Sequence, residues 1–356
     1  MNNEALKKLI SNMEQLNLKQ LIITAPMNIK YLTGRFINPG ERLVALKVDI
    51  DGSCCLIANR LFAQQPLEGA KLIEYDDTDD TGKLLASVCA AGEVGVDKDM
   101  RARFLLPLMD AKREVAPRLG SLAIDRTRMV KTDAELELMR QSSKANDAAL
   151  ESTIGKIVKG LSETELADIY RAEGTKQHAQ GESFDSLICF GENAAEPHHE
   201  TGSNRLKENQ AVILDVGLKV GGYCSDMTRT VFFGAPDDEF KKVYDIVKRA
   251  NEAGRAAVKP GVPLRDVDAA ARHVIEEAGY GRFFIHRTGH SIGIEVHEYP
   301  DVSAGSYEVC QKGMTFSVEP GIYLPGRFGV RIEDLVAVSE DGCETLNSLD
   351  RSLKTI

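Results

Sequence analysis

The sequence predicts an α+β protein of two domains, and three observations lead to this prediction. The chain has 356 residues, which is long for a single hydrophobic core. Strand-like and helix-like segments alternate up to about residue 125, as in an α/β domain. Beyond residue 129, amphipathic helices and strand-like segments predict an antiparallel sheet faced by helices. We therefore expect an α/β domain over residues 1–127 and a second, α+β domain over residues 128–356.

The composition is that of an ordinary globular protein, with 43% apolar and 28% charged residues. The formal net charge of −10 argues against a nucleic-acid partner and against an anionic membrane surface. No apolar run approaches the roughly 20 residues that a membrane span needs, and the polar N-terminal segment does not resemble a signal peptide. Seven scattered cysteines without a CxxC motif predict reduced thiols in a cytoplasmic protein.

The N-terminal domain is predicted to start with a helix, over residues 1–15, and to contain several strands. The apolar runs that predict strands are 21–25, 42–48, 53–58 and 93–97. This region has no histidine, and no Gly-rich phosphate-binding loop follows any of these strands. We expect it to support a site in the second domain rather than to contain one.

Four helices are predicted in the second domain from their caps and their apolar spacing. Asp133 is expected to cap the long first helix, and Ser162 with Glu165 forms the capping-box pattern of the next. The segments 237–258 and 263–278 have apolar residues at helical spacing. Both are expected to pack on the sheet.

Two of the strand-like segments of this domain are predicted to pair as a hairpin. The strand-like segments are 211–220, 223–233, 314–319 and 330–338. The two glycines at 221–222 form a two-residue turn, which places Asp215 opposite Thr228. Asp226 then lies diagonal to Asp215 on the same face. At this spacing both carboxylates can reach ions roughly 3.5–4 Å apart.

Five side chains of the metal-ligand type lie in short, unusual stretches of the second domain. They are Asp215, Asp226, His290, Glu319 and Glu333. Four carboxylates and one imidazole are the ligands that a pair of hard divalent cations prefers. A single acid on a strand is usually a solvated edge residue. Here four acids lie in segments interrupted by glycine and proline, together with a histidine in a Gly-bounded turn. This combination instead predicts metal-assisted hydrolysis.

Three further histidines leave alternatives open. His198 and His199 lie in a loop before the first of the acid-bearing strands, where one of them faces a substrate or both are simply exposed. His297 follows His290 by seven residues, and a lone histidine is as often structural as functional.

One motif favours a different chemistry. The segment 289–293, GHSIG, matches the nucleophile-elbow pattern of serine hydrolases. The required order of serine, acid and histidine is met only by Glu295 and His297, which follow within six residues. The alternating segment after the motif does not predict the strand-to-helix turn that an elbow needs, so we reject this interpretation.

At these residues the chain resembles the pita-bread metallopeptidases, the creatinase, prolidase and methionine aminopeptidase superfamily. It is most similar to the Xaa-Pro branch, prolidase and aminopeptidase P. The segment 26–34, PMNIKYLTG, resembles the N-terminal domain of that branch, and 129–338 resembles its catalytic domain. The resemblance implies an α/β domain followed by a pseudo-symmetric pita-bread catalytic domain, usually in a homodimer.

The resemblance also implies two divalent metal ions in each chain. Asp215 would chelate one ion, and His290 with Glu319 would bind the other. Asp226 and Glu333 would bridge both. The carboxylate-rich set favours manganese, and cobalt or zinc could substitute.

The implied reaction is hydrolysis of the peptide bond before proline. Glu319 would accept and pass on a proton, His297 and His198 would face the substrate, and Arg331 would support the site. The implied enzyme is an Xaa-Pro dipeptidase that cleaves proline-containing dipeptides. The alternatives are an Xaa-Pro aminopeptidase that acts on longer peptides and a non-catalytic binding module, which would typically have lost ligands.

Two positions depart from the family pattern. Ser291 stands where most relatives have glycine next to His290. Asp301 stands where some dipeptidases carry a basic residue that could bind a substrate carboxylate. The second departure weakens the dipeptidase interpretation.

Overall fold

The structure is a computed structural model that describes residues 1–356, and its contacts divide the chain into two compact units, Met1–Arg128 and Met129–Ile356. None of its helices combines the length and the apolar character that a membrane crossing requires. As predicted, all seven cysteines are free thiols, and six of them are buried.

The first unit contains one six-stranded mixed sheet and five helices. The helices are α1 Asn3–Gln15, α2 Pro26–Thr33, α3 Thr81–Val88, α4 Ala102–Ala111 and α5 Ser121–Met129, and the strands are β1 Gln20–Ile23, β2 Ala45–Asp49, β3 Cys54–Asn59, β4 Lys71–Tyr75, β5 Gly92–Val96 and β6 Val115–Leu119. The strand order is β4-β3-β2-β1-β5-β6. The predicted first helix and all four predicted strands are present. The sequence did not predict β4 and β6, because these edge strands are partly exposed and lack a continuous apolar run.

The second unit contains four β-sheets and two helix pairs. The helices are α6 Asp133–Ile154, α7 Glu163–Lys176, α8 Asp238–Ala257 and α9 Leu264–Glu277. The strands are β7 Leu187–Phe190, β8 Gln210–Val216, β9 Lys219–Val220, β10 Tyr223–Cys224, β11 Met227–Phe233, β12 Gly289–Ser291, β13 Glu298–Val302, β14 Thr315–Val318, β15 Gly321–Leu324, β16 Phe328–Arg331, β17 Asp334–Val338, β18 Cys343–Thr345 and β19 Lys354–Thr355. The two larger sheets have the orders β19-β11-β8-β7, in which only β19 and β11 are parallel, and β13-β12-β14-β17-β18, which is antiparallel throughout. β9 with β10 and β15 with β16 form two-stranded sheets. Apolar residues of α6 and α7 pack on the first sheet, and those of α9 pack on β14 and β17.

The long helix α6 is capped by Thr132, which corrects the expectation that Asp133 is the cap. The Thr132 hydroxyl accepts the Glu135 N–H at 3.3 Å, and the Glu135 carboxylate accepts the Thr132 N–H at 2.7 Å. This reciprocal capping box satisfies two N–H groups that the helix leaves free. Asp133 instead occupies the first helical turn, where its charge suits the helix dipole.

The predicted hairpin has the predicted register, with Asp215 opposite Thr228. The two strands are interrupted, however, between β8 and β9 and between β10 and β11. A Cβ at Gly217 would lie 2.2 Å from the Ser225 carbonyl oxygen, so only glycine fits this close approach. The interruption lies at Asp226 and leaves this carboxylate at the start of a strand.

The segment 330–338, predicted as one strand, contains the end of β16 and the whole of β17. β16 pairs with β15, whereas β17 pairs with β14 in the larger sheet. Glu333 lies between them, and its N–H donates to the Thr228 carbonyl of the other sheet at 3.1 Å. The chain therefore passes from one pairing to another at Glu333, next to the first sheet.

Candidate metal centre and active site

All eight residues singled out as ligands or catalytic groups line one cavity of about 530 Å³ in the second unit. They are Asp215, Asp226, His290, Glu319, Glu333, His198, His297 and Arg331. A cavity of this volume is typical of sites for small ligands.

Ends and interruptions of strands bring the five ligand candidates together. Asp215 lies in β8, Asp226 directly precedes β11, His290 lies in β12, Glu319 directly follows β14, and Glu333 directly precedes β17. Two of these residues therefore come from the four-stranded sheet and three from the region of the five-stranded sheet.

The arrangement fits divalent cations. The ligand atoms of Asp226, His290 and Glu333 all lie within 4.8 Å of one another. Nε2 of His290 lies 3.5 Å from Oε1 of Glu319. One carboxylate oxygen of each of Asp215, Asp226 and Glu333 is buried without a hydrogen-bond partner. Because an unpaired buried carboxylate oxygen is costly, a bound cation is the partner that this donor set lacks.

His290 has the protonation state that a metal ligand requires. Its Nδ1 lies 3.2 Å from the Ser291 carbonyl oxygen, so that Nδ1 donates and Nε2 keeps its lone pair facing the carboxylates. Burial, and then the neighbouring His297, lower the pKa of His290 to about 3. The imidazole is therefore neutral near pH 7.

The acids of the centre are buried close together, and their charges raise one another's pKa values. Burial, followed by the charges of Glu333 and Asp215, raises the pKa of Asp226 well above its usual range. Burial and the charges of Glu319 and Asp215 do the same to the pKa of Glu333. Burial also raises the pKa of Glu319 to about 7. Cations that bind here must displace the protons that these acids hold.

Arg331, at the end of β16, forms hydrogen bonds to the four-stranded sheet next to the ligand candidates. Its Nη2 donates to Asp215 at 2.6 Å and its Nε to the Thr228 hydroxyl at 3.0 Å. The Thr228 hydroxyl in turn donates to Glu333 at 2.6 Å. The guanidinium thereby fixes one ligand candidate directly and a second through a hydroxyl.

Three groups at the site were missed by sequence reasoning: His286, Arg287 and Tyr323. His286 and Arg287 line the cavity. The Tyr323 hydroxyl lies 2.9 Å from Nε2 of His286 and accepts a hydrogen bond from Arg331, also at 2.9 Å. Burial, and then Arg331, lower the pKa of His286 to about 4. A second histidine four residues before His290 was the sequence pattern that could have indicated this part of the site.

The structure separates the adjacent histidines His198 and His199. His198 lines the cavity, whereas His199 does not. Nε2 of His199 lies 2.9 Å from the buried carboxylate of Glu163. Of the pair, only His198 is placed to face a substrate.

His297 lies beside His290 at the cavity. Their ring centroids are 4.3 Å apart and the rings cross at 65°. Burial, and then the charge of Arg287, lower the pKa of His297. A neutral imidazole at this position can donate one hydrogen bond and accept another.

Ser291 does not form a nucleophile elbow. It lies in β12, is buried, and does not line the cavity. The position of Ser291 therefore agrees with the expectation that the GHSIG segment is not a serine-hydrolase site.

Two family models match the chain, one for each unit. Residues 137–340 match metallopeptidase family M24, and residues 6–130 match the creatinase/prolidase N-terminal domain. An uncharacterized peptidase of Staphylococcus saprophyticus is 37% identical over 346 residues, which cover 92% of this chain and 95% of that protein.

Solved structures of similar length resemble the chain throughout. A dipeptidase from Pyrococcus horikoshii OT3 is 34% identical, with a TM-score of 0.92 and coverage of 99% of this chain and 100% of that one. A recombinant prolidase from Thermococcus sibiricus is also 34% identical, with a TM-score of 0.92 and coverage of 99% and 98%. An X-Pro aminopeptidase from Thermotoga maritima MSB8 is 29% identical, with a TM-score of 0.86 and 99% coverage of both chains.

Proposed function

The chain belongs to metallopeptidase family M24, and from this premise we propose that it hydrolyses the peptide bond before proline as an Xaa-Pro dipeptidase. The predicted family and fold, an α/β domain followed by a pita-bread catalytic domain, are confirmed by the matches. The observation that carries the proposal is the set of five metal-ligand side chains around one cavity. The Pyrococcus horikoshii dipeptidase and the Thermococcus sibiricus prolidase, at 34% identity, are also more similar to this chain than the X-Pro aminopeptidase is, at 29%, although two other prolidases are 27–28% identical.

We propose that two divalent ions, manganese in preference to cobalt or zinc, bind in each chain. Asp215 would hold one ion, and His290 with Glu319 the other. Asp226 and Glu333 would bridge them. When bound, the ions would supply Lewis-acid chemistry, activating water near neutral pH and neutralising negative charge.

The remaining groups would bind and orient the substrate or move a proton. Glu319, whose Oε1 lies 3.5 Å from Nε2 of His290, would also take a proton and pass it to the leaving amine. His297 and His198, which both line the cavity, would donate hydrogen bonds to the substrate. Arg331 would keep the Asp215 carboxylate in its orientation.

Arg287 supports the dipeptidase form of the proposal. It lines the cavity, and its Nη1 donates to Asp301 at 2.5 Å. Asp301 itself does not line the cavity. The acid therefore orients a cation instead of presenting a negative charge to the substrate, and the other guanidinium donors of Arg287 could bind the carboxylate of a dipeptide.

Assays of the manganese-loaded protein on Ala-Pro, Ala-Pro amide and Ala-Pro-Ala test the proposal. Cleavage confined to Ala-Pro supports a dipeptidase that needs the free carboxylate. Release of alanine from Ala-Pro-Ala supports the alternative, an Xaa-Pro aminopeptidase on longer peptides. No cleavage of any of the three by protein that retains no manganese after incubation with it would favour a non-catalytic binding module, because the enzyme should hold a metal pair in each chain.

We further propose that the enzyme acts in the cytoplasm as a homodimer, without a nucleic-acid or membrane partner. The seven free thiols support a reducing compartment. The net charge of −10 disfavours binding to nucleic acid. Light scattering on the purified protein measures the oligomeric state directly.

A further inference from the structure

Glu163 is a fully buried carboxylate that the proposed chemistry does not use. It is the first residue of α7, and it does not line the cavity. Burying a carboxylate is costly unless several donors satisfy it. The groups that donate to Glu163 therefore indicate what the side chain does.

Both oxygens of Glu163 bind one segment, residues 190–204. Oε1 accepts the Phe190 N–H at 2.9 Å. Oε2 accepts the Gly202 N–H at 3.0 Å and lies 2.9 Å from Nε2 of His199, which donates when it carries the proton. One carboxylate thus holds the start, the middle and the end of this segment.

The first turn of α7 holds the same segment through its backbone. The N–H of Glu163 donates to the Asn204 carbonyl at 3.1 Å, and that of Thr164 donates to the Gly202 carbonyl at 3.0 Å. These N–H groups have no partner within the helix. A substitution that changes only the Glu163 carboxylate leaves these bonds in place, so the segment should still dock on α7.

His198 lies in a tight turn that ends at His199. The His199 N–H donates to the Glu196 carbonyl at 3.1 Å and closes this four-residue turn. Pro197 occupies its second position, which suits proline, and His198 occupies the third. Pro197 and His198 line the cavity, whereas the His199 ring contacts Glu163. The contact at one end of the turn therefore sets the direction of His198.

We propose that Glu163 is a positioning residue for the substrate-facing side of the site. Through His199 and the turn 196–199 it holds His198 in the cavity. The inference rests on the proposed function, because the place of His198 matters to catalysis only if a peptide binds there. Glu163 is not itself catalytic, since it contacts none of the groups that would react.

A double-mutant cycle on the manganese-loaded protein, with Ala-Pro as substrate, tests this inference. Glu163→Gln keeps the size of the side chain but can place an amide N–H₂ against the N–H of Gly202. We expect kcat to fall about 10-fold, but less than about 2-fold when His198 is already alanine, with the metal content unchanged. Equal losses in both backgrounds would overturn the inference, because Glu163 would then act independently of His198.

A second variant and a matched control guard against a general folding defect. His199→Phe removes the same contact from the other side, and it should reproduce both the loss of kcat and its dependence on His198. Glu165→Gln alters the same helix at its capping box with Ser162. This control should lower Tm slightly and leave kcat unchanged. A loss of kcat in the control as large as in Glu163→Gln would overturn the inference.

Crystal structures of the wild type and of Glu163→Gln give a readout that needs no activity. We expect the His198 ring to leave the cavity in the variant while His297 stays in place. An unmoved His198 would overturn the inference. A wild type that binds metal but cleaves neither Ala-Pro nor Ala-Pro-Ala would overturn the proposed function alone, and the position of His198 would still decide the inference.

Discussion

The first half of the second unit, residues 129–236, and the second half, residues 237–356, both support the candidate centre with a buried helix asparagine, but the two asparagines make different numbers of hydrogen bonds to strand carbonyls. In the first half, Asn146 of α6 donates from its side chain to the Val216 carbonyl at 2.9 Å, one residue after Asp215. In the second half, Asn251 of α8 donates to the Val318 carbonyl at 2.8 Å and to a second carbonyl, that of Ile332, at 3.3 Å.

The half that supplies more ligand candidates also has more of these asparagine-to-carbonyl hydrogen bonds. Val318 and Ile332 directly precede Glu319 and Glu333. Both asparagines are fully buried. One buried amide therefore fixes the backbone at two ligand candidates in the half that carries three, and at one in the half that carries two. The helices act on the centre through the strand backbone rather than by contacting the ligands.

The cavity loops show a second difference between the halves. In the first half, Glu163 accepts hydrogen bonds from neutral donors of the loop that carries His198. In the second half, Asp268 accepts from the Thr288 hydroxyl at 2.6 Å and pairs with Arg272, which donates to the His286 carbonyl at 2.9 Å. The carboxylate that holds the first loop bonds backbone N–H groups and the His199 ring, whereas the carboxylate that holds the second loop is paired with an arginine.

The variants with the largest expected loss of activity test whether residues of both halves form one metal centre. Asp226 comes from the first half and Glu333 from the second, and both are expected to bridge the two ions. Asp226→Ala and Glu333→Ala should each lower kcat by at least about 1,000-fold and lower the metal content, since a bridging ligand serves both ions. Enzyme assays and metal analysis of each variant measure this. Near-normal turnover with full metal in either variant would contradict the two-ion assignment.

A smaller effect is expected at the two histidines that face the substrate. His297→Ala should lower kcat by about 100-fold and His198→Ala by about 10-fold, because each removes one hydrogen bond to the substrate. The larger loss is expected at His297, whose ring lies against His290. Metal analysis should find both variants fully loaded. Loss of metal from His297→Ala would mean that this residue helps to hold an ion.

Much of the site was predictable because its residues carry local patterns. The two-glycine turn fixes the register of Asp215 and Thr228, and the structure has that register. The break at Glu333 was not predictable, since the alternation of residues 330–338 is the same for one strand as for two. Tyr323 was missed because a tyrosine in a buried strand is typical of a core.

The polar supports behind the site could not be read from the sequence at all. Asn251 and Val318 are 67 residues apart along the chain, and nothing local to either indicates their hydrogen bond. Only the packing of α8 against β14 brings them together. The sequence therefore indicates which groups react more readily than it indicates what holds them.

The paired asparagines give a direct measure of the difference between the halves. Asn251→Ala leaves two buried carbonyls without this donor and removes the acceptor of Arg255 Nε. Asn146→Ala leaves one carbonyl and removes the acceptor of the Tyr170 hydroxyl. Each lost partner costs about 1–3 kcal/mol of unfolding free energy. Denaturant unfolding should show both losses, and metal affinity should fall more in Asn251→Ala. A larger fall in Asn146→Ala would contradict the proposed link between the amides and the ligands.

The smallest expected effect is on folding stability. In the metal-free protein the stability should depend on pH because of the buried acids that both halves supply. Burial raises the pKa of Glu319 from 4.5 to about 7 in the folded chain. The folded state therefore binds this proton more tightly than the unfolded state does. The stability it contributes is fully present below pH 4.5 and is lost as the pH rises through about 7.

Thermal unfolding of the chelator-treated protein between pH 5 and pH 8, compared with that of Glu319→Gln, measures the contribution of the Glu319 proton to stability. The Tm of the wild type should fall relative to that of the variant as the pH rises, because only the wild type must give up the proton. Raised pKa values at Asp226 and Glu333 have the same sign, so the corresponding amide variants should flatten the profile further. Saturating manganese should abolish the fall, since cations replace the protons. A wild-type Tm that rises with pH relative to Glu319→Gln in the metal-free protein would mean that burial does not hold a proton on this acid.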